Sequence, residues 1–202
     1  ARAARDVLIA LQDLALVEHW SGHATVALEL LHEAIDIAKA RVDANQRDTD
    51  AMSEWVSALL ILGAVELESL DESSSARETF EQAIELCEKT WSTHHPEDIR
   101  PKPALAHALV GQGRVALRNG ELDAASSSLL GALFIRESLA SAGLCRGSEV
   151  AEVHKHLGDV YAHMRSGLAD HYYELALGST YPEDLTRRDL VFATTRRLSR
   201  PS

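Results

Sequence analysis

The sequence predicts an all-α fold: four antiparallel helical hairpins stacked into a solenoid and closed by a C-terminal helix. Three observations carry this expectation, namely a helix-forming composition, an internal repeat, and breaker residues spaced to separate the repeats. In 202 residues there are only five prolines, eleven glycines and ten Phe, Trp or Tyr residues. Ala, Leu and Glu dominate the long runs between them, and these residues lose little rotamer freedom in a helix. A hydrophobic fraction of 46% suffices for the core of one domain or one short solenoid of this length.

The repeat is read from four copies of one pattern of large, small and turn residues. In the first copy Leu11, Leu14, Ala15, Gly22, Ala27, Leu31, Ala34 and Ile35 run in the order large, large, small, turn glycine, small, large, small, large. Leu59, Leu62, Gly63, Ala76, Phe80, Ala83 and Ile84 form the second, and Leu109, Gly113, Gly120, Ala125, Leu129, Ala132 and Leu133 the third. The fourth comprises Leu157, Gly158, Tyr161, Ala169, Tyr173, Ala176 and Leu177. Small residues let two antiparallel helices approach, and the large ones fill the space between neighbouring hairpins.

The expected hairpins cover about residues 3–42, 50–91, 103–140 and 148–179, followed by a closing helix and tail over 180–202. Breakers separate them: Asp43 to Asp50, Ser92 to Pro103 with three prolines, and Ser141 to Ser148 with two glycines. Ser75, three residues before Glu78, reads as a capping box. Pro182-Glu183-Asp184 makes a good first turn for a closing helix ending near Leu198, whose Leu185, Leu190, Val191 and Leu198 would cover the last hairpin.

Charge and cysteine content exclude several functions. With 31 acidic and 20 basic residues the formal charge is −11, a field that repels phosphates, so nucleic acid is not an expected partner. The imbalance is uneven, acidic from Glu66 to Glu88 and basic at Arg187, Arg188, Arg196, Arg197 and Arg200. Cys87 and Cys145 fit neither a zinc spacing nor a disulfide framework. Free thiols in an intracellular, reducing compartment are therefore expected, with cytoplasm and organelle interior not distinguished. The longest apolar stretch, Val56 to Val65, falls short of the roughly 20 residues a bilayer requires. The chain opens at Ala1 and shows no apolar signal segment, as a processed or trimmed product would.

Ten histidines invite a metal or catalytic reading. His19 and His23 lie four apart, and His154, His156 and His163 share one predicted helix, so adjacent turns could present two imidazoles. No local third ligand completes either set, and no metal or cofactor is expected. Gly111-Gln112-Gly113 follows no strand and reads as close helix packing, while Ser126-Ser127-Ser128 has no glycine-flanked elbow and no base. An enzyme is not expected. Cys87 reads as a small apolar filler one turn after Ala83, and Trp55 as part of its helix's apolar run. Trp20 and Trp91, near helix ends, fit either packed edges or partner contacts.

The pattern resembles the tetratricopeptide repeat, most closely at Leu157-Gly158-Asp159-Val160-Tyr161. It departs from that family in length, since Ala34, Ala83, Ala132 and Ala176 are 49, 49 and 44 residues apart, against about 34 in the standard repeat. Lys39, Glu88 and Glu137 stand near the place where the standard repeat has its helix-ending proline, so those helices can run on. His94-His95-Pro96 and Ala132-Leu133-Phe134-Ile135-Arg136-Glu137 look like the longer repeats of kinesin light chains.

The resemblance implies a right-handed solenoid whose first helices line a concave groove that holds a peptide or helix of another protein. Carried over position by position, the groove side would include Gln12, Leu16, His19, Leu60, Ala64 and Leu67 in the first half. His107, Val110, Arg114, Arg118, Lys155, Asp159 and His163 follow in the second. An apolar first half beside a polar, partly basic second half suits a partner with an apolar segment next to an acidic one. The alternative for the same residues is an ordinary solvated helix face. Co-chaperone members of the family grip a terminal carboxylate with lysine and asparagine in the first unit. Gln12 and Leu16 stand there instead, so that clamp is not expected. The expected function is a non-catalytic adaptor or scaffold; the alternative is a structural or assembly subunit of a larger complex, with an organelle as one setting. The oligomeric state is not read from the sequence.

Overall fold

A computed structural model describes residues 2–70 and 72–179; the expected closing helix and the basic residues from Arg187 onward lie outside the described residues. All regular structure among the described residues is helical. The described residues fall into two compact units that divide between Val115 and Ala116, near the end of α6.

The first unit holds α1 (Arg2–Trp20), α2 (Ala24–Ala44), α3 (Thr49–Ser69), α4 (Ser73–Glu85), a π-helical turn (Leu86–Trp91), a short α5 (Ser92–His94) and most of α6 (Pro101–Arg118). Helix α1 packs on α2, α2 on α3 and α3 on α4, the π-helical turn meets α3, α4 and α5, and α1 also meets α3. Small residues make this possible: Ala15, Ala27, Ala34, Ala38 and Ala58 are fully buried, so helix axes come close where their stripes face. The wide turn brings positions five apart into register. Leu86 and Trp91 therefore both point inward, with Cys87, into a core shared with Phe80, Met52 and Val115. Trp91 is thus a core residue, and its indole N–H donates to Asp98 Oδ2 at 3.1 Å. Trp55 is half-buried against the same cluster.

The helices extend into segments read as loops. Asp48 caps α3, accepting from the Ala51 N–H at 3.0 Å, so helix begins at Thr49. Pro101 opens α6, where its missing N–H costs nothing. Ser75 is not a cap: α4 starts two residues earlier, after Glu72. The Ser75 hydroxyl donates instead to Glu66 Oε1 on α3.

An ion-pair network ties one end of this unit. Arg41 bridges Glu54 and Asp48, Arg5 bridges Glu54 (2.8 Å) and Asp50 (3.3 Å), and Arg100 bridges Asp50 (3.1 Å) and Asp98 (2.7 Å). The Arg100 guanidinium also lies 5.7 Å from the centre of the Trp91 ring.

The second unit contains α7 (Leu122–Ser141), α8 (Gly147–His163) and α9 (Leu168–Ser179). Helix α8 packs on both α7 and α9. Buried Arg136 on α7 donates to the Glu149 carbonyl and to Glu152 at 2.8 Å, fastening the start of α8. Gly158 faces Tyr173, whose hydroxyl donates to Asp159 Oδ1 at 2.7 Å.

Helices α1, α6, α7 and α8 end in the same way. At each, the residue in the left-handed region bonds back three residues and the next residue bonds back five, as with Gly22 to His19 and His23 to Glu18. Gly22, Gly120 and Gly143 hold three of these positions at φ +84°, +77° and +72°; Arg165 holds the fourth at φ 54°.

Candidate functional site

Five of the residues assigned to the groove from sequence surround one cleft in the first unit. Leu16 and His19 on α1, Leu60 and Ala64 on α3, and His107 on α6 line a cavity of about 270 Å³, together with Ser57, Ile61, Glu68 and Trp20. The register of α3 explains the lining, because Leu60, Ala64 and Glu68 form one row at four-residue spacing and Ser57 and Ile61 the row beside it. Trp20, at the end of α1, is 76% exposed. Its ring therefore stands at the rim of an apolar cleft, where it offers a large, rigid contact surface.

The polar edge centres on Glu68. Arg114 reaches its Oε1 at 2.6 Å, and His19 Nε2 lies 3.5 Å from Oε2 while His19 Nδ1 bonds the Ser69 hydroxyl at 3.0 Å. Arg114 is therefore engaged within the unit, and a carboxylate arriving at it would have to displace Glu68.

Three sequence assignments are corrected by burial. Gln12 is 8% exposed, donating Nε2–H to the Glu54 carbonyl at 2.8 Å. It joins α1 to α3 and offers little surface. Leu67 is 2% exposed and belongs to the core around Phe80. One position along α3, Glu68 reaches the cleft instead. Val110 is likewise buried.

Arg118 is exposed near the end of α6. Lys155, Asp159 and His163 lie together on α8 in the second unit. Lys155 Nζ is 3.7 Å from Asp159 Oδ2, and His163 Nδ1 bonds the Asp159 carbonyl at 2.8 Å. Burial would raise the Asp159 pKa, but hydrogen bonds from His156 and Tyr173 and the charge of Lys155 hold it below the usual carboxylate value. Asp159 serves the α8–α9 contact.

A second, larger groove of about 570 Å³ opens along α2, α3 and α4, with Ile35, Leu59 and Leu62 at its floor and Glu78, Glu81 and Glu85 among its walls. Glu66 lines it too, bonded by the Ser75 hydroxyl and by Thr79 Oγ1 at 2.8 Å. Sequence reading saw the acidic stretch, but not that an apolar floor separates α2 from α4.

The histidine and cysteine groups are used locally. His23 bonds Glu18 at 2.7 Å, His156 lies 3.8 Å from Asp159, and no three His, Cys, Asp or Glu side chains among the described residues converge as a metal site would require. Burial, helped by the charge of Glu88, pushes the Cys87 thiol up to about 12. Burial and a hydrogen bond to Glu149 push Cys145 up to about 11. Both are poor nucleophiles at neutral pH. No helix among the described residues is long and apolar enough to cross a membrane.

No family model and no curated protein sequence matches the chain. Among solved structures it is similar to BtubC (BKLC) from P. vanneervenii, a kinesin light chain-like helical protein of the tetratricopeptide type, with a TM-score of 0.66 and 17% identity. The match covers 96% of this chain and 67% of that one. At this identity the likeness concerns the fold, which is compatible with a tetratricopeptide-like repeat.

Proposed function

We propose that this chain is a non-catalytic protein-interaction module that receives a peptide or helix of another protein in the cleft of α1, α3 and α6. The observation that carries the reading is the pairing of an apolar cavity of about 270 Å³ with the exposed ring of Trp20 at its rim. An exposed tryptophan beside an apolar cleft is the usual composition of an interface anchor. The partner chemistry that fits is one bulky apolar side chain seated on Leu16, Leu60 and Ile61, with hydrogen-bonding groups toward His19, His107 and Glu68.

The test compares affinity capture by the wild-type chain with capture by Trp20→Ser and Ile61→Asp variants, followed by titration of each recovered partner in purified form. A purified partner that binds the wild type and loses at least about tenfold in affinity to both variants supports the reading. Equal affinity for all three removes the cleft from consideration.

A second reading, a subunit held within a larger assembly, is favoured by the outer face of α1. Leu14 takes the repeat position of Leu62 yet is 46% exposed against 4%, and Val7 and Val17, on the same stripe at helical spacing, are exposed as well. An apolar stripe of this kind is what a neighbouring helix covers. Substituting Leu14→Glu and Val17→Glu separates the two readings. Loss of co-purifying subunits with cleft binding intact would favour the assembly.

A further inference from the structure

The contact of α8 with α9 contains a histidine that the proposed cleft does not use. His154 is 5% exposed, and its Nδ1 is buried without a hydrogen-bond partner among the described residues. Its ring lies 6.1 Å from that of Tyr172 on α9. Tyr172 stacks on Tyr161 of α8 at 5.2 Å and meets the edge of His171 at 5.6 Å. Among the described residues, Glu137 from α7 and His171 from α9 act electrostatically on this histidine and the Tyr172 ring lies beside it, with Tyr161 of α8 stacked on Tyr172.

Only the neutral imidazole suits this site. A second proton would place a full charge in a buried site beside the Tyr172 ring and His171, a penalty that the Glu137 carboxylate opposes only in part. We infer that the α8–α9 contact is a proton-gated latch, in which protonation of His154 releases α9 from α8. Release uncovers Ala169, Tyr173 and Ala176, the buried face of α9, and frees Asp159 from the Tyr173 hydroxyl.

Burial lowers the His154 pKa from its ordinary 6.5; Glu137 partly opposes this and His171 adds to it. The open state therefore binds the proton more readily than the closed one. The latch is fully closed above pH 6.5, and its stability falls as the pH drops below that value. A single linked proton raises the open population by up to about tenfold per pH unit within this window.

The experiment follows the α9 amide resonances of the whole chain from pH 7.5 to 5.0, with α3 resonances as internal reference. The expected result is a reversible shift of α9 alone toward unstructured positions below about pH 6, absent in His154→Phe. The conservative pair Glu137→Gln and His171→Gln tests the same idea without altering the packed ring. Removing the carboxylate should move the midpoint to higher pH, and removing the second imidazole should move it to lower pH. Resonances of α9 that stay in place down to pH 5.0, or midpoints identical in the wild type and these variants, would overturn the latch.

Discussion

Phe80 occupies the space where a side chain at Gly63 would stand, since a Cβ built on Gly63 comes within 2.8 Å of the ring's Cζ. Gly111 meets the same ring, and in the second unit Gly158 meets Tyr173 in the same way. Alanine in a helix ordinarily gains about 1 kcal/mol over glycine. Here overpacking reverses the sign, and Gly63→Ala is expected to lose about 1–3 kcal/mol in urea unfolding. Adding Phe80→Leu should make the glycine substitution less damaging than it is alone. Strict additivity of the two would show that the ring is not the obstacle.

Arg165 carries the one described non-glycine residue with positive φ, at the helix end equivalent to Gly22, Gly120 and Gly143. A side chain in the left-handed region costs about 1–2 kcal/mol. Arg165→Gly is therefore expected to stabilise the protein by about 1 kcal/mol, a rise of roughly 2–4 °C in Tm for a chain of this size. A lower Tm would mean that the arginine side chain makes a compensating contact.

Asp98 joins Trp91 to Arg100. Hydrogen bonds from Arg100 outweigh partial burial, and with the Trp91 indole they hold the carboxyl well below its ordinary 3.8. The stabilisation is present above pH 3.8 and is lost as the pH falls through the lower folded value. Asp98→Ala leaves a buried indole N–H unpaired, a loss of about 1–3 kcal/mol at pH 7. Thermal unfolding at pH 7 and pH 2 should show the gap between wild type and variant narrowing in acid. A gap that widens would exclude the charged pairing.

The two thiols give a chemical check on the core. Cys87 sits in the π-helical turn with its thiol pushed up to about 12, so a thiol reagent at pH 7.5 should modify it only after unfolding. Cys145, partly accessible but pushed up to about 11, should react in the native state more slowly than a free cysteine. Rapid native modification of two thiols per chain would contradict the packing around Trp91.

Much of the helical order was legible because small and large residues recur with the repeat. Ala34, Ala83, Ala132 and Ala176 are all fully buried, and Gly63 and Gly158 have their aromatic counterparts at Phe80 and Tyr173. What was not legible follows from rotation about single helices. Leu67 and Glu68 differ by one residue, about 100° on a helix, and only the packing of α3 decides which faces the core. Gln12 looked like a surface residue because its partner is the Glu54 carbonyl, which leaves no trace in side-chain types. Arg165 lacked the glycine that announces such a turn. Trp20 and Trp91 both stand near helix ends, and the π-helical turn that buries the second has no sequence signature.

The cleft yields the prediction that separates surface from scaffold. Trp20 makes its offer at the rim, so Trp20→Ser should change unfolding free energy by no more than about 0.5 kcal/mol. The same change should weaken a cleft-bound partner by about 2 kcal/mol or more, roughly thirtyfold. Leu67→Ala should do the reverse. It removes a buried side chain at a cost of about 2–5 kcal/mol, while the folded fraction still binds the partner with near wild-type affinity. Isothermal titration at a temperature where both variants are folded, paired with urea unfolding, reads the two effects separately. If Leu67→Ala weakens binding as much as Trp20→Ser does, binding reports on the stability of α3 and the cleft has no anchor at Trp20.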